Sequence, residues 1–329
     1  MMLVGLLLGM FAAFGQDRGA RGDDAGFEGG AEDYVPAPKR RLYYTNATFL
    51  RANPLGLINI FRLGVRRRLS TSDSILLQDT YTYGGLTALL TPAYGRIGAY
   101  GEAQLLSVFR VFAQVEGISY FSTFDQVLSY PAGQAAQYTD QEIADEGDLG
   151  LNFGTSGWVA VAGFTVRAAA GPIALRTTGQ TQIYNIGLEG DDVSFYDQYW
   201  DRLAPNGGFM WLQDTDLLLL AGKARIGARY TFTANLTKLD IGDEGNLAHH
   251  RVGPLFAYQF SDKGAGSRFN QPTLFVIAQW WAQHPYRTGQ FERNGQTVGI
   301  PRGLPLIAAG LAFNGDFATS KRPQAPPAK

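Results

Sequence analysis

The residues with the widest chemical repertoire in this sequence are three histidines, His249, His250 and His284. Imidazole can pass a proton near neutral pH or bind a metal. Asp240, Asp243 and Glu244 lie just upstream of the first two, so a metal site or an acid–base relay has its raw materials. The spacing for either is missing. A triad or metal centre needs groups from separate segments to converge, and no metal-ligand motif is written in consecutive residues. The absence of cysteine excludes thiolate sites and disulfides. Paired histidines without such a frame read as polar loop residues, and no cofactor is implied.

A second group is acidic. Residues 122–156 hold Asp125, Asp140, Glu142, Asp145, Glu146 and Asp148 without a Lys or Arg, and 187–206 add Glu189, Asp191, Asp192, Asp197 and Asp201 against Arg202. Carboxylate oxygens suit divalent cations. EF-hand spacing is absent, so a solvated acidic surface is the expected reading. A third group is basic: Arg62, Arg66, Arg68, Arg96, Arg110, Arg167, Arg176, Lys223, Arg225 and Arg229. The only clear acids sharing their parity are Glu102 and Glu116. A net charge of −1 and the lack of a phosphate loop or basic motif give no reason to expect nucleic acid as a partner.

The elements carrying these groups alternate. From Lys223 to Leu236 the even positions Ala224, Ile226, Ala228, Tyr230, Phe232, Ala234 and Leu236 are apolar, while Lys223, Arg225, Gly227, Arg229, Thr231, Thr233 and Asn235 are polar or glycine. A period of two excludes an amphipathic helix, whose apolar stripe recurs every three to four residues. The same grammar recurs in 57–69, 96–105, 109–121, 157–168, 173–186 and 274–282. Less regular strands are expected at 42–52, 75–90, 209–221 and 251–260, and a last one at 304–317. That predicts about twelve antiparallel strands. The longest connections, 122–156, 187–208, 240–247 and 285–303, all fall between odd and even strands, on one side of the sheet. Placing the short turns in the periplasm then puts both termini there.

Flanking segments fit export. Met2 to Phe14 is almost wholly apolar, and Ala13 and Gly15 are small residues suited to a signal-peptidase site, which predicts a signal peptide over 1–15. The segment 16–40, rich in Gly and Asp, reads as a disordered periplasmic leader. The barrel is expected over 41–317, with a Pro-rich tail at 318–329. Only 17% of residues are charged, below the roughly 25% of soluble domains.

The whole alternating region resembles the bacterial outer-membrane β-barrels. The last strand resembles the aromatic-ending strand that barrel-assembly machinery recognises, through Gly310, Phe313 and Phe317, although here a tail follows. The resemblance implies an all-β transmembrane barrel in the bacterial outer membrane, with lipid bilayer, lipopolysaccharide and assembly machinery as partners. It is architectural and implies no particular activity. Strand direction places most of the arginines at one depth of the lumen, toward the periplasm. A narrow passage lined by one sign of charge favours counter-ions. The leading expectation is therefore a porin-like channel for small solutes with an anion-attracting lumen. The alternatives are a structural or docking barrel with a plugged lumen and, third, a lipid-modifying enzyme. No His followed closely by Ser-Asn-Gly supports the last, and a non-enzyme is expected.

Overall fold

The computed structural model describes residues 37–72, 74–121, 127–134, 136–289, 292–293, 296–297 and 303–320. The expected signal peptide, most of the leader, Asp125 and all but the first residues of the tail lie outside them. In chain order the strands are β1 (Arg40–Ala52), β2 (Gly56–Arg68), β3 (Tyr81–Leu90), β4 (Tyr94–Leu106), β5 (Phe109–Phe121) and β6 (Ser129–Pro131). After helix α1 (Asp140–Asp148) come β7 (Gly154–Ala170), β8 (Ile173–Ile186), β9 (Asp192–Asp197), β10 (Arg202–Pro205), β11 (Phe209–Ala221) and β12 (Ala224–Asn235). The short helix α2 (Gly242–Asn246) precedes β13 (His249–Gln259), β14 (Asn270–Gln283), β15 (Glu292–Arg293), β16 (Gln296–Thr297) and β17 (Leu306–Thr319).

Twelve of these close a transmembrane antiparallel barrel in the order β1-β17-β14-β13-β12-β11-β8-β7-β5-β4-β3-β2. Closure removes every strand edge, which hydrocarbon demands because it cannot solvate an unpaired backbone group. The apolar parity faces outward: Leu86, Ile97, Val115 and Leu217 are more than half exposed. Val111, Ile226, Tyr230, Phe232, Leu311 and Phe313 share that outer wall. Aromatic side chains gather near both rims, as in other barrels that cross lipid. Tyr44 stacks on Phe317 at 4.8 Å at the end where β1 begins and β17 ends, while Trp158, Trp211 and Trp280 lie toward the other end. The first and last strands pair directly, Arg41 opposite Thr319 and Ala52 opposite Ile307.

At one place the wall needs glycine. Gly64 and Gly85 face each other across β2 and β3, and a Cβ on either would meet backbone oxygen at 2.2 or 2.1 Å. Three expectations need correction. The strand expected from Ile75 begins at Tyr81, because residues 75–79 form a turn. Lys223 lies in the β11–β12 turn, exposed and off the lumen wall. The acidic connection 187–208 is not all solvated surface. It folds inward as a β9–β10 hairpin, with β6 paired to β9, because its apolar Phe195, Tyr199 and Trp200 find an apolar lumen to enter.

Candidate functional site: an ionic lumen beneath an apolar plug

The interior divides by depth. Toward the end holding the termini, the inward parity supplies charge. Arg176 from β8 and Arg229 from β12 converge on Asp216 of β11. Arg229 holds that carboxylate through Nε at 2.6 Å and Nη2 at 2.9 Å, and its Nη1 lies 3.3 Å from Asp214. Arg176 pairs with the same Asp216. Asp214 also accepts from Thr231, whose hydroxyl takes a 2.9 Å bond from Gln279. Nearer the loop side, in register with Leu89 and Ile118, Arg96 donates to Glu116 at 2.6 Å, and Gln114 links Glu116 to Arg62 through bonds of 3.0 and 3.2 Å. Arg110 meets Glu102 at 3.2 Å, and Tyr81 and Tyr100 donate to that carboxylate. Arg62 lies 3.9 Å above the Tyr100 ring and Arg66 lies 3.7 Å above the Tyr81 ring.

Of the residues singled out from the sequence, Arg62, Arg96, Arg110, Arg176, Arg229 and Glu116 are buried inside the lumen, and Glu102 is nearly so. Arg66, Arg68, Arg167 and Arg225 stand half-buried at the rim on the same parity. Arg68 donates to the carbonyl of Ala37, Arg167 to that of Ser107 and Arg225 to Gln259. The charge of the lumen is therefore largely matched from within. Sequence reasoning misses Asp214 and Asp216 because Leu217 to Leu220 make the alternation of β11 irregular. The signal was present: Met210, Leu212, Asp214, Asp216 and Leu218 share one parity, and two of the five are acids.

Toward the opposite end the wall turns apolar. Ile58, Ile60, Leu89, Ile118, Val159, Val161 and Leu212 form one packed cluster with Phe195, Tyr199, Trp200 and Ala204 of the hairpin and Val127 beside β6. The hairpin tip is pinned by wall residues. Tyr184 of β8 donates to Asp197 at 2.6 Å, and Arg51 of β1 donates to the carbonyls of Tyr199 (2.7 Å) and Gln198 (3.0 Å). Asp197 also caps the turn through the amides of Tyr199 and Trp200.

One hub locks this plug. Asp201 takes a left-handed backbone, φ +55, at a cost of roughly 1–2 kcal/mol for a residue with a Cβ. Its carboxylate repays that cost: Arg287 grips it bidentately, Tyr196 donates at 2.9 Å, and His284 Nε2 lies 3.3 Å away. Arg287 also reaches Asp140 at the head of α1 (2.7 Å) and the side chain of Asn53 in the β1–β2 turn (2.8 Å). Burial alone would raise the Asp201 carboxyl, but Arg287 and His284 outweigh it and hold it well below the usual carboxylate range. Burial lowers Arg202 to about 10, with Tyr138 and Asp197 offsetting part of the shift. His249 and His284 come together, their rings 4.2 Å apart, and His249 Nε2 meets the Tyr138 hydroxyl at 3.2 Å. The histidines thus sit in plug packing, and His250 lies outside, against Tyr230.

The two fillings meet on buried residues of the wall. Each barrel strand points at least one side chain of no more than 2% exposure into the lumen: Ala47, Ile60, Leu89, Arg96, Glu116, Val159, Arg176, Leu212, Arg229, Ala257, Ile277 and Ala308.

No known sequence family matches this chain, and no curated protein does. Solved barrels do resemble it in shape. The β domain of the Bordetella autotransporter BrkA is 10% identical, with a TM-score of 0.39, covering 85% of this chain and all of that one. The Acinetobacter baumannii outer membrane protein Omp33 is 9% identical, with a TM-score of 0.35 over 85% of this chain and all of that one. The Pseudomonas putida toluene transporter TodX is 9% identical, with a TM-score of 0.34 over 86% and 91%. Likeness at that level says nothing of cargo or role.

Proposed function

We propose that this protein is a bacterial outer-membrane barrel that is shut at rest and serves as a structural or docking unit of the envelope, not as a standing pore or an enzyme. The observation that carries this reading is the filled lumen: every barrel strand turns at least one buried side chain inward, and the plug packs against the wall above the ionic half. Opening would require separating at least four buried ion pairs, Arg96–Glu116, Arg110–Glu102, Arg176–Asp216 and Arg229–Asp216. Breaking one such pair by losing a partner costs about 3–5 kcal/mol. The outer face would meet phospholipid on the periplasmic side and lipopolysaccharide on the other. The test is planar-bilayer recording of the refolded full chain. The expected result is a silent bilayer at protein levels where a control porin conducts; steady conductance steps would overturn the reading.

One observation favours a gated small-solute channel as the second reading. Both polar atoms of Gln182, the amide nitrogen of Gln180 and Oε1 of Glu116 are buried at mid-lumen without a hydrogen-bond partner among the described residues. Each such group costs about 1–3 kcal/mol to keep dry. A hydrated lumen would relieve that cost, so brief flickering openings would be its signature in the same recording.

A further inference from the structure

The outer wall is not uniformly apolar. On β8 and β11, Thr177, Thr181, Gln213 and Thr215 belong to the lipid-facing parity, with Thr177 paired in register to Thr215. Their position is central: Leu217 and Leu219 lie below them and Phe209 above, along the same strand face. The Thr177 and Thr215 hydroxyls bond at 3.0 Å, and the Gln213 amide nitrogen reaches both only at 3.4 Å. A primary amide can make about four hydrogen bonds. The Gln213 carbonyl oxygen accepts none among the described residues.

A second such patch lies on β1 and β2. Asn46 and Thr48 of β1 and Asn59 of β2 share the lipid-facing parity, with Thr48 opposite Asn59. Asn59 donates to Thr48 at 2.7 Å and to Asn46 at 3.4 Å, leaving the Asn59 oxygen and the Asn46 nitrogen without partners among the described residues. In the closed ring the β1–β2 seam lies opposite the β8–β11 seam. The depths also correspond. Thr48 is four residues from the loop-side end of β1, and Gln213 is four from the loop-side end of β11.

Lipid tails offer these amides nothing. Hydrogen bonding between polar side chains and close packing of small ones are the forces that associate proteins within a bilayer. Two surplus patches at one depth on opposite walls complement each other by simple translation, since each offers a free amide donor or acceptor. We propose that the occupant of each patch is a second copy of this chain. The β1–β2 patch of one barrel packs against the β8–β11 patch of the next, side by side and in the same orientation. This is a heterologous contact that does not close, so it builds rows. It holds whether or not the lumen conducts.

The natural absence of cysteine makes the test clean. Thr48→Cys and Thr215→Cys proteins, alone and mixed, would be reconstituted in phosphatidylethanolamine–phosphatidylglycerol vesicles and oxidised. A disulfide-linked pair is expected only in the mixture. A mixture of Thr48→Cys with Val115→Cys, whose cysteine faces lipid on a wall of neither patch, should stay monomeric. Adding Gln213→Leu to the Thr215→Cys chain should cut the cross-linking by about 5- to 30-fold. Asn59→Leu on the Thr48→Cys chain should do the same from the opposite wall. Both put an apolar side chain against lipid, and heat-dependent migration in detergent gels checks that each barrel is folded. Cross-links within single-variant samples would show a symmetric pair and overturn the row. So would equal yields with Val115→Cys, or none at any protein-to-lipid ratio.

Discussion

The two halves of this lumen are filled by different means. The half near the termini is packed by side chains of the wall itself. Arg176, Asp216 and Arg229 sit on three strands whose ladders run their full length, so their pairing is set by the barrel's own register. The other half is packed by a visitor: the β9–β10 hairpin, whose Phe195, Tyr199 and Trp200 belong to a connection. The first filling cannot leave without unravelling the wall. The second can leave with the barrel ladders intact, because it is held by Asp201–Arg287, by bonds from Arg51, Tyr184 and Asn235, by Arg202–Thr233 and Asn206–Ile186, and by apolar contact. One barrel thus carries a permanent seal and a separable one.

Five changes would break or sharpen that contrast. The largest effect is expected from Asp216→Ala. It leaves Arg176 and Arg229 buried without their shared counter-charge, and the unfolding free energy in lipid vesicles should fall by about 3–5 kcal/mol. An unchanged urea midpoint would mean that the ionic half is not part of the wall's stability. Arg287→Met should cost about 3 kcal/mol as well, but locally. Amide exchange over 188–206 should accelerate by roughly 100-fold while β8 and β12 keep their protection. Loss of protection throughout the barrel would erase the distinction between the two seals.

Acid should act on the plug late. The Asp201 carboxyl is held below its ordinary value, so its contribution to the latch is complete above about pH 4, the unfolded carboxylate range, and fades only as pH falls further toward the depressed value. The Asp201 carboxyl itself should therefore add no pH dependence to the hairpin's opening equilibrium between pH 7 and 5. Release beginning near pH 6 would place the controlling group elsewhere. The smallest effect is expected at the rim. Lys223→Gln, in an exposed turn, should change stability by less than about 0.5 kcal/mol. Had Arg229 been a free selectivity charge, Arg229→Gln would be equally mild; tied to two carboxylates, it should resemble Asp216→Ala.

Much of the wall was legible in residues alone. Arg225, Arg229 and Thr231 alternate with Ile226, Ala228 and Tyr230, and only a strand with one wet and one greasy side satisfies that pattern. Strand number and the side of the long connections followed by counting. The β3 boundary did not, because Ile75, Leu76 and Leu77 look like strand yet turn outside the barrel. The candidate site was legible by half. The arginines lie on the inward parity and Lys223 does not, while their partners Asp214 and Asp216 escape the pattern, since Leu217 to Leu220 break the alternation beside them.

What the sequence determined by itself is local: period-two chemistry decides which side of each strand meets lipid, and connection length decides which end carries the loops. The filling of the lumen was decided only by tertiary closure. Whether an inward arginine faces water or an aspartate depends on what stands opposite and on neighbouring strands, and pairing of β8, β11 and β12 brings Arg176, Asp216 and Arg229 to one point. The same holds for the plug. Asp201 reads as one more acid in a solvated loop until folding sets it beside Arg287, eighty-six residues away, because a charge is buried only where the whole structure supplies its counter-charge.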